Sequence, residues 1–253
     1  MTREEYNKLE GERFSTLKHI LRSPAHYWTA RNEPEEVDEL RYAVGTMSHS
    51  LVLEGKDLTD CFALKPKGMS FATKEGKAWK AAQTLPILEE ESAMKVPRMA
   101  EAVTKHPIAR GILACCKERE KALQADLNGV LCKGLLDLYG RSTDGTPVIG
   151  DFKTTTDSRA WAFRKKATRE PLHYDLQFGV YKELVRNCLD EEAVGIWIVQ
   201  ETSPPYTVMV YRESMETITE GRRKLNEVLD TWKRCTDENL WPAYAGQDQI
   251  NEL

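Results

Sequence analysis

Two strand-like segments of the sequence each carry an aspartate. The first ends in Leu135-Leu136-Asp137, and the second reads Gly150-Asp151-Phe152-Lys153. Because side chains alternate between the two faces of a strand, Asp151 and Lys153 are predicted to share one face of a sheet. We expect Gly150, which has no side chain, to leave room for a ligand or a metal. The alternative is that Asp151 and Lys153 form only a structural ion pair.

The chemistry that suits Asp137, Asp151 and Lys153 is the hydrolysis of a phosphodiester. Carboxylates are the ligands that Mg²⁺ prefers, and Mn²⁺ can replace Mg²⁺ at such an oxygen-rich site. A bound metal polarises a phosphoryl oxygen and lowers the pKa of a coordinated water. The compact ammonium of Lys153 can orient that water or stabilise the charge that develops on phosphorus. The three residues therefore predict a metal-dependent hydrolase.

The elements of the first half of the chain, which must help to position these residues, read as helical. Ser15 is predicted to cap a helix that ends near Ser23-Pro24, since the residue before a proline is disfavoured in the α conformation. A second helix, at about 39–54, carries His49 near an apolar side formed by Val44, Met47, Leu51 and Val52. Two further helices are predicted at about 73–94 and 97–115.

The pattern then changes to that of strands. Three of them, joined by the turns Asn128-Gly129 and Asp144-Gly145, are predicted at 121–126, 130–139 and 147–153. After them come helices at 158–166 and 172–188, strands at 194–199 and 206–211, and a helix at 214–235. This order predicts an α/β or α+β fold with a central mixed sheet flanked by helices.

Composition limits the kind of protein. The chain has 253 residues, 41% hydrophobic and 30% charged, which is typical of one globular domain. We expect residues 1–116 to form a mainly helical part and residues 117–240 the sheet-containing core. No apolar run is long enough to span a membrane, and the polar start of the chain does not resemble a secretory signal. The predicted location is the cytoplasm.

The net charge of −4 argues against a protein that coats DNA by bulk electrostatics. A local basic track remains open, with two candidates: Lys65, Lys67, Lys74, Lys77 and Lys80, or Arg164, Lys165, Lys166 and Arg169. Such runs are more often simply a solvated face. The six cysteines include no C-x-x-C pair, so we expect reduced thiols, with no zinc site and no disulfide framework.

The motifs resemble those of a known superfamily. Asp137 followed by Asp151-x-Lys153 is similar to the motif of the PD-(D/E)xK nucleases, although Leu136 stands where that motif has proline. Two further motifs resemble those of the RecB-type branch: the G-x-x-x-H motif of Gly45 to His49 and the Q-x-x-x-Y motif of Gln177 and Tyr181. Two more resemble the exodeoxyribonuclease VIII (RecE) nuclease domain: the S-x-L motif of Ser15 to Leu17 and the P-x-x-Y motif of Pro24 to Tyr27. The resemblance extends from about Glu5 to Pro242.

This resemblance implies a restriction-endonuclease-like core and a role for each matched residue. His49, Asp137, Asp151 and the Phe152 carbonyl would be metal ligands. Lys153 would be the catalytic lysine, while Gln177 and Tyr181 would position the substrate. Glu120 is a further candidate ligand, with Glu118 as an equally good register. Taken alone, His49 and Tyr181 could each be core residues and Gln177 a surface residue. The cysteine pattern does not match the iron–sulfur cluster of some RecB-type nucleases.

The activity implied is that of an exonuclease on linear double-stranded DNA. The resemblance implies digestion from 5′ to 3′, leaving a 3′ single-stranded tail, beside a RecT-type annealing protein in phage or prophage recombination. It also implies a homo-oligomer, with a ring around DNA as the family precedent. Two alternatives stay open: an endonuclease of restriction or junction-resolving type, and a catalytically silent DNA-binding module. Whether one or two metals act is open as well.

Overall fold

A five-stranded mixed sheet runs through the second half of the chain, and its strands lie side by side in the order of the sequence. The computed structural model describes residues 3–33, 39–55 and 58–244. The strands are β3 (Glu118–Leu127), β4 (Val130–Arg141), β5 (Pro147–Thr155), β6 (Val194–Glu201) and β7 (Val208–Arg212). Neighbouring strands are antiparallel except β5 and β6, which are parallel. The predicted mixed sheet flanked by helices is confirmed.

Helices and one small sheet make up the first half. The helices are α1 (Arg3–Lys8), α2 (Phe14–Leu17), α3 (Pro24–Asn32), α4 (Glu39–His49), α5 (Leu58–Cys61), α6 (Lys74–Ala81), α7 (Glu90–Lys105) and α8 (Pro107–Cys115). A 3₁₀ turn (Lys18–Leu21) follows α2, and a π-helical turn (Ser50–Glu54) follows α4. Two short parallel strands, β1 (Ala63–Leu64) and β2 (Ile87–Leu88), pair with each other. Among the described residues, no helix is long and apolar enough to cross a membrane.

Three helices accompany the main sheet: α9 (Ala160–Ala167), α10 (Tyr174–Leu189) and α11 (Met215–Asp237). One core lies between the sheet and α10 and α11, and it includes Leu136, Ile149, Phe178, Leu184 and Leu225. A second core lies on the opposite face, where Leu138, Val148 and Ile198 pack with Val103 of α7 and Ile112 of α8. The sheet is therefore buried on both faces at the level of the two aspartates.

Turn chemistry explains the hairpin between β3 and β4. Asn128 and Gly129 both have positive φ angles, of 54° and 84°, as a two-residue turn requires. The carboxylate of Asp126 accepts a hydrogen bond of 2.7 Å from the backbone N–H of Gly129. The predicted Asn128-Gly129 turn is confirmed, and it fixes the pairing of the strand that carries Asp137.

Several predicted helix boundaries are wrong. Ser15 does not cap a helix: α2 begins directly after Arg13, and Ser15 lies inside it. Ser23 instead accepts a hydrogen bond from the backbone N–H of His26 and caps α3. The sequence analysis did not predict a helix at this position. The helix predicted at 73–94 is two helices with β2 between them, and α7 continues through Pro97. The buried face of α7, formed by Ala93, Val96, Met99 and Val103, outweighs the cost of that proline.

Candidate metal centre

Asp137 and Asp151 lie where β4 and β5 separate. The paired residues of these strands run from Arg141 and Pro147 to Leu138 and Gly150, so the ladder stops one residue before the two aspartates. Beyond that point the Asp137 carboxylate accepts a 2.9 Å hydrogen bond from the backbone N–H of Phe152. A side chain thus replaces a backbone acceptor, and both carboxylates reach the opening between the strands.

Asp151 and Lys153 share a face of β5, as predicted. Lys153 Nζ lies 2.7 Å from Asp151 Oδ2 and 4.5 Å from the centre of the Tyr174 ring. The Asp151 side chain is only 1% exposed. The prediction for Gly150 is wrong, because a Cβ at Gly150 would lie 2.8 Å from the Leu138 side chain. Gly150 makes room for packing between strands, and not for a ligand or a metal.

A local irregularity in β3 and β4 brings Glu120 to the same place. Leu136 belongs to one core and Leu138 to the other, although residues two apart on a regular strand share a face. The ladder between β3 and β4 skips Glu120 and Asp137, and Glu120 has a φ angle of 49°. Both strands therefore exchange faces here, which is typical of distortions at functional sites.

This geometry decides between the two candidate glutamates. Glu120 Oε1 lies 3.5 Å from His49 Nε2. Glu118 is instead half exposed and pairs with Lys121 on the surface. Glu120, and not Glu118, is therefore the glutamate that lies at the site.

His49 reaches the sheet because α4 packs closely against β5. A Cβ at Gly45 would lie 2.8 Å from Thr154 Oγ1, so the helix can approach this strand only with glycine at that position. One turn later, His49 Nε2 lies 3.2 Å from Asp137 Oδ1. The spacing of Gly45 and His49 therefore has a physical reason. The glycine lets α4 lie close to β5, and this position of the helix brings His49 into contact with Asp137.

The π-helical turn after α4 adds Glu54, to which the prediction gave no role. Glu54 Oε1 lies 3.8 Å from His49 Nδ1. Residues five apart do not share a face of an α-helix, but the wider π turn brings them together. His49, Glu54 and Glu120 each offer a ligand atom within 4.8 Å of the others. Helical spacing gives no reason to select Glu54 from the sequence.

Gln177 and Tyr181 lie on α10 behind Asp151. Gln177 Nε2 donates a 2.9 Å hydrogen bond to Asp151 Oδ1 and lies 3.1 Å from the Tyr181 hydroxyl. Both residues are buried. A Cβ at Gly134 would lie 3.0 Å from the Tyr181 ring, so this glycine of β4 lets α10 approach. The predicted pair thus contacts the site through Asp151.

Charge at the site favours a cation. Burial raises the pKa of Asp151 to about 6, against the opposing charge of Lys153. Burial would also raise the pKa of Asp137, but the hydrogen bond and charge of His49 hold it below its usual value. Burial would lower the pKa of His49, and Asp137 and Glu120 together raise it instead. The raised pKa of His49 reflects the carboxylates around it, whereas the lowered pKa of Asp137 reflects its contact with His49.

The donor set fits a divalent metal ion. Four carboxylates surround one lysine and one histidine, and oxygen ligands with imidazole suit Mg²⁺ or Mn²⁺. Asp151 Oδ2 is held by Lys153 Nζ at 2.7 Å, whereas Gln177 Oε1 beside it is a buried side-chain atom without a hydrogen-bond partner in the described part of the chain. Such atoms are rare in native proteins and call for an explanation. His49, Asp137, Asp151, Glu54 and Glu120 are the residues that would hold the ion, while the role of the Phe152 carbonyl stays a prediction.

A cleft of about 690 Å³ opens beside this site. His49 and Lys153 line it together with Thr154, Thr155, Thr156, Lys166 and Tyr174. Lys166 Nζ donates a 3.0 Å hydrogen bond to Thr155 Oγ1. Hydroxyl and ammonium groups are common partners of phosphate, so the cleft has the size and lining to receive a phosphodiester next to the carboxylates.

Comparison with known proteins places the chain in a family. The family described as a PDDEXK-like domain of unknown function (DUF3799) matches residues 13–252. The chain belongs to this family. No match is found among curated proteins. The resemblance to PD-(D/E)xK nucleases that the motifs indicate is thereby confirmed.

Solved structures resemble this DUF3799 domain in fold. A Eubacterium rectale protein described as a "putative exonuclease" has a TM-score of 0.66 at 12% sequence identity, over 100% of this chain and 95% of its own. A phage-related exonuclease from Haemophilus somnus 129PT has a TM-score of 0.36 at 15% identity, over 93% of this chain and 99% of its own. The first similarity supports the fold of the DUF3799 domain.

Proposed function

We propose that this DUF3799 domain is a metal-dependent exonuclease that hydrolyses phosphodiester bonds at the ends of linear double-stranded DNA. The observation that carries the proposal is the convergence of His49, Asp137, Asp151 and Lys153 beside a cleft of about 690 Å³. The E. rectale protein of similar fold, described as an exonuclease, supports cleavage at ends over cleavage within the duplex. Mg²⁺ is the proposed metal, with Mn²⁺ able to replace it.

Each side chain has a task in this proposal. The histidine and carboxylates would hold the ion, which when bound supplies a water of lowered pKa and polarises the phosphate. Lys153, held by Asp151 and the Tyr174 ring, stabilises the negative charge that develops on the phosphate. Gln177 holds the Asp151 carboxylate in orientation through its 2.9 Å hydrogen bond. Lys166 and the hydroxyls of Thr155 and Thr156, which it contacts, bind the phosphate backbone.

We further propose that digestion runs from 5′ to 3′ and leaves a 3′ single-stranded tail for recombination by strand annealing. This direction follows from the resemblance of the motifs and not from the shape of the cleft. The proposed partner is a RecT-type annealing protein, in the cytoplasm of a phage-infected or prophage-bearing cell. A homo-oligomeric ring would retain DNA in spite of the net charge of −4, and light scattering after gel filtration measures the number of subunits.

The test is nucleotide release from linear and from closed circular duplex DNA, with Mg²⁺ and with EDTA. We expect release from linear DNA only, and none with EDTA. Lys153→Ala should lower the rate at least 100-fold, as expected when a group that stabilises the transition state is lost. Lys105→Ala is the matched control, since Lys105 is exposed and pairs only with Glu101 among the described residues.

Other outcomes would change the proposal in defined ways. Cleavage of closed circular DNA would favour the endonuclease alternative at the same site. If no DNA is cleaved with any divalent metal, the domain is a binding module and the catalytic role of Lys153 is wrong. Labels placed at the 5′ or at the 3′ end of the linear substrate give the direction of digestion in the same experiment.

A further inference from the structure

Helix α9 borders the catalytic cleft with one face and presents an aromatic and basic face to solvent. Phe163 and Lys166 line the cleft. Trp161 and Lys165 are four residues apart and therefore lie on a common helical face, and both are exposed. The same short helix thus connects the interior of the cleft with an outer surface.

Trp161 contributes little to the packing of the protein. Its side chain is 64% exposed, whereas tryptophan is usually among the most buried residues. Its described ring contact is with the Arg159 guanidinium, 4.9 Å from the ring centre. Arg159 in turn donates hydrogen bonds to both carboxylate oxygens of Asp157. The indole is therefore kept in place from one side while most of its surface remains accessible.

The charges around Trp161 favour an anionic partner. Arg164 pairs with Glu216. Lys165 and Arg169 are exposed, and within the described ranges neither has a carboxylate partner. Lys166 continues this positive strip into the cleft, where it contacts Thr155. The protein as a whole has a net charge of −4, so this positively charged strip beside the catalytic cleft differs from the overall charge of the chain.

The other basic run of the sequence has a different environment. Lys65 pairs with Glu89, and the ammonium groups of Lys65 and Lys80 lie over the Phe71 ring. None of these side chains lines the cleft beside the metal centre. Of the two runs, the one that begins on α9 adjoins the site, through Lys166.

We propose that the exposed surface formed by Trp161 and Lys165 of α9, with Arg169 two residues beyond the end of the helix, binds the unpaired strand of a DNA substrate as it passes the catalytic cleft. A nucleobase stacks on Trp161, and the two cations contact backbone phosphates. The occupant is single-stranded because the faces of bases in a duplex are covered by their neighbours. This inference rests on the proposed nuclease function, since that function supplies both the DNA and the unpaired strand.

The experiment measures binding without cleavage, so that it remains informative if the nuclease proposal fails. A fluorescein-labelled oligothymidylate is titrated with the full chain in EDTA, and the anisotropy of the label is recorded. Trp161→Ala should weaken binding about 5- to 100-fold, as expected for the loss of one base–aromatic stack. Trp161→Phe should keep most of the affinity. Lys165→Ala should reduce the salt dependence of binding by about 0.7 in the logarithmic slope.

Trp28→Ala is the matched control, because Trp28 is also an exposed tryptophan, at 47%, and lies on α3. It should bind the oligothymidylate as the unchanged protein does. Equal affinities of Trp161→Ala and the unchanged protein would overturn the proposal. An equal loss of affinity for blunt duplex would overturn it too, since the surface would then not select an unpaired strand. A change of subunit number in Trp161→Ala would make the face a protein contact and overturn it as well.

Discussion

Gly45→Ala should uncouple His49 from the metal centre. The added Cβ would lie 2.8 Å from Thr154 Oγ1, whereas ordinary contacts begin at about 3.4 Å. The helix or the strand must therefore shift by about half an ångström, and the branched Thr154 side chain has little freedom to turn away. Overpacking of this kind costs about 1–3 kcal/mol, and the better helix propensity of alanine offsets up to about 1 kcal/mol of that cost.

The activity should fall more than the stability. His49 lies one turn beyond Gly45 on the same helix, and its Nε2 is 3.2 Å from Asp137. A displacement of about half an ångström is comparable to the tolerance of a catalytic arrangement, so we expect a loss of 10-fold or more in the Mg²⁺-dependent rate. The measurements are nucleotide release from linear DNA and the thermal unfolding midpoint of the same protein.

A second substitution tests the reasoning directly. The double variant Gly45→Ala with Thr154→Ala lacks the Oγ1 atom. The nearest remaining atom of residue 154 to the added Cβ is then its own Cβ, at 3.9 Å. The double variant should regain most of the rate and stability, and Thr154→Ala alone should show only a small effect. If Gly45→Ala is as active and as stable as the unchanged chain, or if the double variant gains nothing, close approach of α4 is not what positions His49.

The remaining predictions concern the metal. Glu120→Gln should raise the Mg²⁺ concentration that gives half of the maximal rate by about 10-fold or more. The matched Glu118→Gln should not raise it, because Glu118 pairs with Lys121 on the surface. Equal effects would mean that Glu120 is not a ligand. Saturating Mg²⁺ should raise the unfolding temperature of the unchanged chain, since an ion at 100 times its Kd adds about 2.7 kcal/mol. Asp151→Asn should lose most of that increase, and retention of the full increase would place the ion elsewhere.

Much of the site could be predicted because it depends on local periodicity. Alternation along β5 places Asp151 and Lys153 on one face whatever the rest of the chain does, and helical spacing does the same for Gln177 and Tyr181 on α10. The Asn128-Gly129 turn fixes the neighbouring strand. Such patterns are properties of a few adjacent residues, and the structure contains each of them.

The parts that were missed depend on departures from these periods. Glu118 and Glu120 are two apart, so alternation assigns them to one face and cannot choose between them; the reversal of faces at Glu120 makes the choice. Glu54 reaches His49 only through a π turn, which helical spacing does not anticipate. Gly150 was misread because Leu138, a residue of the neighbouring strand, fills the space above it.

The helix wrongly predicted at 73–94 contained its own signal. Pro86 lies inside the predicted helix, and the residue before a proline is disfavoured in the α conformation. In the structure α6 ends at Ala81, and Ile87 begins β2. A closer reading of that proline would have found this boundary, whereas the pairing of β2 with β1 is a tertiary contact that no local pattern reveals.

The left-handed conformation of Glu120 also bears on how this family can change over time. A glycine or asparagine would adopt the φ angle of 49° at lower cost than glutamate does. Either substitution would also remove a charge from a crowded group of carboxylates. Loss of the proposed ligand would therefore make the fold more stable, so selection for stability alone would act against the proposed activity. Persistence of glutamate at this position in a lineage would record selection for activity against the preference of the backbone.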